Sequence, residues 1–154
     1  MRKLSLLGVV VAFVTLAVAP LPTRAAGETL VVIANKAVSA TVLTRDELRP
    51  IFQTKKTTWP DGTPVRPFNL PDANATRQGF DAAVLGLDPD RVARYWIDRK
   101  IRGGERPPTI VSSSALMVKA VAKAAGAIGY AENSAVDASV KVIAKIIDGQ
   151  VVKP

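Results

Sequence analysis

The densest chemistry in the chain lies in six consecutive residues, Asp72-Ala-Asn-Ala-Thr-Arg77. Asp72 or Asn74 can cap a following helix, because a short side-chain oxygen there accepts a bond from the second or third helical amide. With Asn74 as the cap, the amides of Ala75, Thr76 and Arg77 point out of the helix start, where the peptide dipoles sum to about half a positive charge. Thr76 adds a hydroxyl and Arg77 a guanidinium, the planar fork best matched to an oxyanion. Such a nest suits phosphate or sulfate. The same residues also read as an ordinary N-cap followed by a surface charge. Ser112-Ser-Ser114 is a second polar helix start and carries the same two readings.

The residue types that are missing narrow the chemistry further. The chain has no histidine and no cysteine. This removes the commonest general base, the commonest nucleophile and most transition-metal ligands. Carboxylates and lysines do not stand at a recognisable catalytic spacing, so the expectation is a binding protein, with no enzyme activity, no cofactor and no metal. Trp59 and Trp96 read as packing residues rather than stacking platforms, since Trp96 falls on an apolar helical stripe.

Charge points the same way. Leaving out Arg2, Lys3 and Arg24, 18 basic residues face 13 acidic ones, a net of +5. Six of the 18 fall between Arg91 and Arg106, interleaved with Asp98 and Glu105, which describes a solvated face. Nucleic-acid binding would need a continuous basic stripe with stacking aromatics and is not expected. A basic surface of this kind steers small anions or anionic envelope polymers instead.

These residues need elements to hold them. Met1-Arg2-Lys3 followed by the apolar run Leu4–Ala19 and by Thr23-Arg24-Ala25 has the order of a secretory signal peptide, so residues 1–25 are expected to be removed and the protein to be periplasmic or secreted. Residues 26–154 then form one domain, long enough for a single core and without cysteines to staple it. Thr29–Ala34 reads as a strand buried on both faces. Thr44-Arg-Asp-Glu47 is a capping box for a helix carrying Leu48, Ile51 and Phe52, which Pro50 is expected to keep short.

Trp59-Pro-Asp-Gly62 marks a turn, and Val65–Phe68 a short strand that Pro67 places at an edge or takes early out of its ladder. The Asn74 helix continues through Phe80, Ala83, Val84 and Leu87 at helical spacing. Asp88-Pro89 opens another helix, with Val92, Tyr95, Trp96 and Ile101 on its buried side and Gly103 at its end. A further helix carries Leu116, Val118 and Val121 and stops at Gly126, followed by strands at 127–131 and 140–147. Asp148-Gly149 turns the last strand back on itself. Strands alternating with helices predict an α/β layer fold with a mixed, mostly parallel sheet flanked by helices.

Taken in order, LTRDELRPIF, TTWPDGTPV, PDANATRQGF, the YW pair and AGAIGYAENSAV resemble the periplasmic phosphate-type substrate-binding proteins of ABC transporters, in particular their short single-lobe members. The likeness runs from about Leu30 to Val142. It implies a periplasmic-binding-protein type II-like lobe and a phosphate or similar oxyanion as ligand, held by hydroxyls, backbone amides, an arginine and an aspartate. The family loop Arg-Ser-Asp-Gly-Ser-Gly-Thr falls on Leu70 to Thr76, where Asp72 and Thr76 keep the family side chains and Asn74 stands for a serine. Arg77 follows one residue later.

The implied ligand-binding set is Asp72, Asn74, Ala75, Thr76 and Arg77, and the implied partner is an ABC permease or a sensor. Only one lobe is expected in this sequence, which leaves a ligand half enclosed. The alternative is an envelope protein-interaction module of the same fold that has lost its ligand.

Overall fold

The computed structural model describes residues 28–154, so the expected signal peptide lies outside the described residues. Six strands form a single sheet in the order β3-β2-β4-β1-β5-β6. They are β1 (Leu30–Ala34), β2 (Arg66–Asn69), β3 (Thr109–Ile110), β4 (Ala127–Glu132), β5 (Lys141–Ile147) and β6 (Gln150–Val152). The helices are α1 (Arg45–Phe52), α2 (Ala75–Phe80), α3 (Pro89–Ile101) and α4 (Ser114–Lys123). α2 runs on without a break into a π-helical turn, Asp81–Leu85. None of these helices is long and apolar enough to cross a membrane.

The α/β sheet flanked by helices is as expected, but it is not mostly parallel. β2 is parallel to β3 and β4, whereas β4–β1, β1–β5 and β5–β6 are antiparallel. The antiparallel share is larger because β1 lies between β4 and β5 and opposes both. A sequence signals direction only where a tight turn joins two strands, as Asp148 and Gly149 do at φ 49° and 73°.

Pro67 explains the short reach of β2. Pairing with β4 covers only Arg66 and Pro67, and pairing with β3 takes over at Phe68 and Asn69. A residue without an N–H cannot extend a ladder, and the strand changes partner there. β2 is thus an inner strand that leaves one ladder early, not an edge.

Neighbouring residues of β4 show how the layers stack, since successive side chains point to opposite faces. At Gly129 a Cβ would strike Met117 and Val121, so α4 packs against that face. On the other face Tyr130 stacks on Phe80, with centroids 3.8 Å apart and planes 5° from parallel, and Phe52 meets Phe80 edge-on at 4.6 Å. α1 and α2 therefore cover the face opposite α4.

Local signals account for most helix ends. Glu47 accepts from both the N–H and the hydroxyl of Thr44 at 2.8 Å, and α1 runs through Pro50 to Phe52, about two turns. Asp88 caps α3 and accepts from the Arg91 amide at 2.9 Å, with Pro89 at the first helical position. Three expectations need correction. α4 ends at Lys123, so Gly126 is not its terminal residue. Gly126 is required instead because its φ is 75° and a Cβ would overlap the Pro64 carbonyl oxygen. Leu116 is 46% exposed, and Met117 takes its place in the core.

The third correction concerns α3. Of Val92, Tyr95, Trp96 and Ile101, only Val92 is buried, and Ile101 is 78% exposed. The helix hangs on Val92, on the half-buried Tyr95 and Trp96, and on a 3.1 Å bond from the Tyr95 hydroxyl to the Gln53 carbonyl.

Candidate functional site

The segment between β2 and α2 brings Asp72, Asn74, Thr76 and Arg77 together, and their polar groups are already paired. Asn74 is the N-cap, its Oδ1 accepting from the Thr76 amide at 2.8 Å and the Arg77 amide at 3.3 Å. Two of the three amides that the helix start could offer an anion are therefore committed to the cap. The Ala75 amide is the one that the cap leaves alone.

Arg77 is turned inward and is only 3% exposed. Its Nε donates to Asp81 Oδ2 at 2.6 Å, and its Nη1 to the Leu70 carbonyl at 2.8 Å. The same Nη1 lies 3.1 Å from Asp72 Oδ1, whose side chain is open to solvent. Asp81 itself is 5% exposed. Burial pushes its carboxyl above the usual aspartate range, and the adjacent Arg77 charge offsets only part of that rise. Arg77 thus ties the loop before α2 to the π-helical turn after it.

Thr76 points the other way, to β4, where its hydroxyl donates to the Glu132 carboxylate. Ser114, at the start of α4, also favours the charged form of that carboxylate. Partial burial pushes Glu132 up, but the neighbouring Ser114 and Thr76 hydroxyls outweigh it and hold the carboxyl below its ordinary value. The polar start of α2 thus spends its hydroxyl on an oxyanion that belongs to the protein. Ser113 provides the cap of α4, with Oγ accepting from the Leu116 amide at 3.3 Å.

Below the loop, Tyr130 links sheet and site. Its hydroxyl accepts from the Leu70 amide and donates to Asn69 Oδ1, both at 3.2 Å. Burial drives the phenol upward, so it stays neutral and serves as a fixed hydrogen-bond relay.

A cavity of about 330 Å³ opens beside Arg77, between α2, α3 and β3. Asp72 and Asp81 enter its wall with Arg77, which makes the charged part net negative. Asn69 and Gln78 add uncharged polar groups, and the rest of the wall is apolar and includes Val92, Trp96 and Pro108. Ile97 and Ile110, 60% and 58% exposed, complete the lining. The described residues contain no group of three potential metal-ligating side chains.

Two of the partners were not picked out from the sequence. Asp81 stands four residues after Arg77, the helical spacing of an ion pair, and could have been read. Glu132 lies 56 residues from Thr76, and no local signal joins them.

No protein-family model and no curated protein sequence matches the chain. Solved structures do. An ABC-type phosphate transport receptor from Vibrio cholerae aligns at 24% identity with a TM-score of 0.59, over 74% of this chain and 44% of the receptor. A protein assigned as a phosphate ABC transporter substrate-binding protein from Clostridium perfringens, solved with bound phosphate, aligns at 24% identity and a TM-score of 0.61 over 74% of this chain and 43% of its own. PstS from Borrelia burgdorferi aligns at 11% identity and a TM-score of 0.58, over 75% and 46% of the two chains. The present chain spans less than half the length of each of them. Its fold is that of part of a phosphate-type substrate-binding protein.

Proposed function

We propose that this chain is a solute-binding-type lobe of the cell envelope that works by docking a protein partner, its own carboxylates standing where a ligand oxyanion would be held. The observation that carries this reading is the Glu132 carboxylate, which takes up the hydroxyl of Thr76 at the α2 helix start. Arg77, the cation a ligand would need, is consumed by Asp81, Asp72 and the Leu70 carbonyl. An entering anion would have to displace these bonds and face three carboxylates. The docking face is α3 with β3, where Ile97 and Ile110 lie exposed on a largely apolar cavity and Ile101 lies exposed one turn further along α3. Arg94 and Lys100 of α3 suit a partner surface that is apolar at its centre and acidic at its rim.

Placement in the envelope rests on the signal-like sequence at residues 1–25. An ABC permease is one such partner, in keeping with the transport receptors that share the fold. Chemistry on the partner is not part of this reading, because the chain lacks histidine and cysteine.

A photo-crosslinking side chain at position 97, in cells expressing the full chain, tests the docking face. A discrete adduct from position 97 and none from the exposed polar position 90 is the expected result. The absence of an adduct at 97 refutes docking through α3.

A second reading keeps a small oxyanion at the helix start. It is favoured by the uncapped Ala75 amide and by the bound phosphate in the Clostridium perfringens structure that shares the fold. In that case Asp72, Asn74, Ala75, Thr76 and Arg77 bind the ligand, and calorimetry with phosphate or sulfate gives saturable heat that Arg77→Ala abolishes. The docking reading expects no heat from either anion at this site up to about 1 mM, the range of weak half-enclosed sites.

A further inference from the structure

β3 is an outermost strand of the sheet, and its register fixes what its free side offers. Ile110 stands opposite Asn69, and the Val111 N–H donates to the Asn69 carbonyl at 2.8 Å. In a parallel pair the slanted bonds of one residue go to the two neighbours of its opposite number. Asn69 therefore bonds Thr109 and Val111, and the N–H and carbonyl of Ile110 point away from β2 with no strand beside them. Pro107 and Pro108 hold the approach to this pair of groups extended.

The surroundings of this edge supply an independent observation. Ile110 borders two concavities, the cavity of about 330 Å³ beside Arg77 and a wider one of about 530 Å³ against α4. The first lies on the face of the sheet that carries Tyr130 and its partner Asn69, and α4 packs on the opposite face, so the two flank the edge from either side. A strand laid along β3 would send alternate side chains into one and then the other. The two differ in charge. The wall toward α4 carries Lys119 and Lys123 and no carboxylate. In the cavity beside Arg77, Asp81 Oδ2 takes the Arg77 Nε–H, while Asp81 Oδ1 accepts from no described residue and is not sealed from solvent. A basic side chain entering there would satisfy this buried carboxylate and pair with the solvated Asp72 beside it.

We infer that this edge takes an extended segment of the partner as an added strand, bonded through the Ile110 N–H and carbonyl, with a basic side chain in the Arg77 cavity and acidic ones toward α4. Backbone bonds supply the affinity of such an addition, and the alternating side chains select the segment. The inference rests on the docking reading for its face and adds the form of the occupant.

The probe is a fluorescein-labelled peptide, Thr-Ile-Glu-Lys-Glu-Ile-Thr, titrated with the full chain. Its anisotropy is expected to rise saturably, and the Ile110 amide to exchange more slowly in the complex. A peptide of the same composition with the alternation broken, Thr-Glu-Glu-Lys-Ile-Ile-Thr, is expected to bind several-fold more weakly. Ile110→Pro removes a backbone N–H that the fold does not use. It should keep the melting temperature and lose about five-fold or more in affinity, the share of one backbone hydrogen bond, while Ile110→Val binds as the parent does. Norleucine in place of the peptide lysine should weaken binding, and Asp72→Asn should weaken the lysine peptide alone. No saturation with the chain at up to about 1 mM overturns the inference, as does equal binding of the broken-pattern peptide or full binding by Ile110→Pro. An adduct at position 97 without peptide binding refutes strand addition and leaves docking standing. Peptide binding without that adduct supports the edge site and refutes docking through α3.

Discussion

Arg77→Met isolates what the buried charge cluster contributes. The substitution keeps much of the side-chain volume and removes the 2.6 Å bond to Asp81, the 2.8 Å bond to the Leu70 carbonyl and the 3.1 Å contact with Asp72. Asp72 is solvated, so its contact contributes less than about 1 kcal/mol. Asp81 is 5% exposed and would be left as an uncompensated buried carboxylate, which typically costs about 3–5 kcal/mol. The expected loss is about 4 kcal/mol, a large part of the ~5–15 kcal/mol that holds a domain together.

Arg77→Met/Asp81→Leu removes both charges and leaves only the Leu70 carbonyl unpaired, so it should return to within about 2 kcal/mol of the parent. The sign with pH is also fixed. The Asp81 carboxyl is already raised in the folded protein, and losing Arg77 raises it further. The folded state then holds a proton the unfolded state has released, so stability falls as pH rises from the ordinary aspartate value of about 3.9 through the higher folded value. The single variant should therefore recover part of its loss at acid pH. Urea unfolding followed by tryptophan fluorescence, at neutral and mildly acid pH, measures all of this. A single-variant cost below about 1 kcal/mol, or a double variant as unstable as the single, would refute the reasoning.

Gly126→Ala should lower the urea midpoint sharply, by several kcal/mol equivalent to about 3 or more, because its Cβ meets backbone at Pro64 and its φ is positive. Trp59→Phe removes the 3.0 Å bond from the indole N–H to the Gly126 carbonyl; thermal melting should show a loss of about 1 kcal/mol, kept modest because the Arg66 amide still donates to that carbonyl. Bonds from the Thr44 amide and hydroxyl hold the Glu47 carboxyl below its ordinary range. Its contribution is present above about pH 4.3 and lost as pH falls through the lower folded value, so Glu47→Ala should cost about 0.5 kcal/mol at neutral pH, limited by solvent screening, and nothing in strong acid.

Features fixed by neighbours in sequence were legible. The β-branched run at Leu30–Ala34, the Thr44–Glu47 box, Asp88-Pro89 and Asp148-Gly149 each imply their structure through backbone and side-chain preferences over a few residues. The direction of β1 was not legible, because its partners come from the far end of the chain. The stripe of Val92, Tyr95, Trp96 and Ile101 correctly implied a helix, yet a stripe states only which residues share a side and not whether anything covers it. In the site, Asn74 was readable as a cap, whereas the bond from Thr76 to Glu132 exists only once α2 and β4 have been packed together.

The position of β1 also governs how the molecule can be assembled. The strand at the centre of the sheet is made early, and it pairs with Ala127–Glu132 and Lys141–Ile147, which are made late. Closing loops of that length before any contact rewards them costs entropy and slows folding. No pair for the central strand exists on a partly made chain until Ala127–Glu132 has been added, so the sheet is built from its centre only near the end of synthesis.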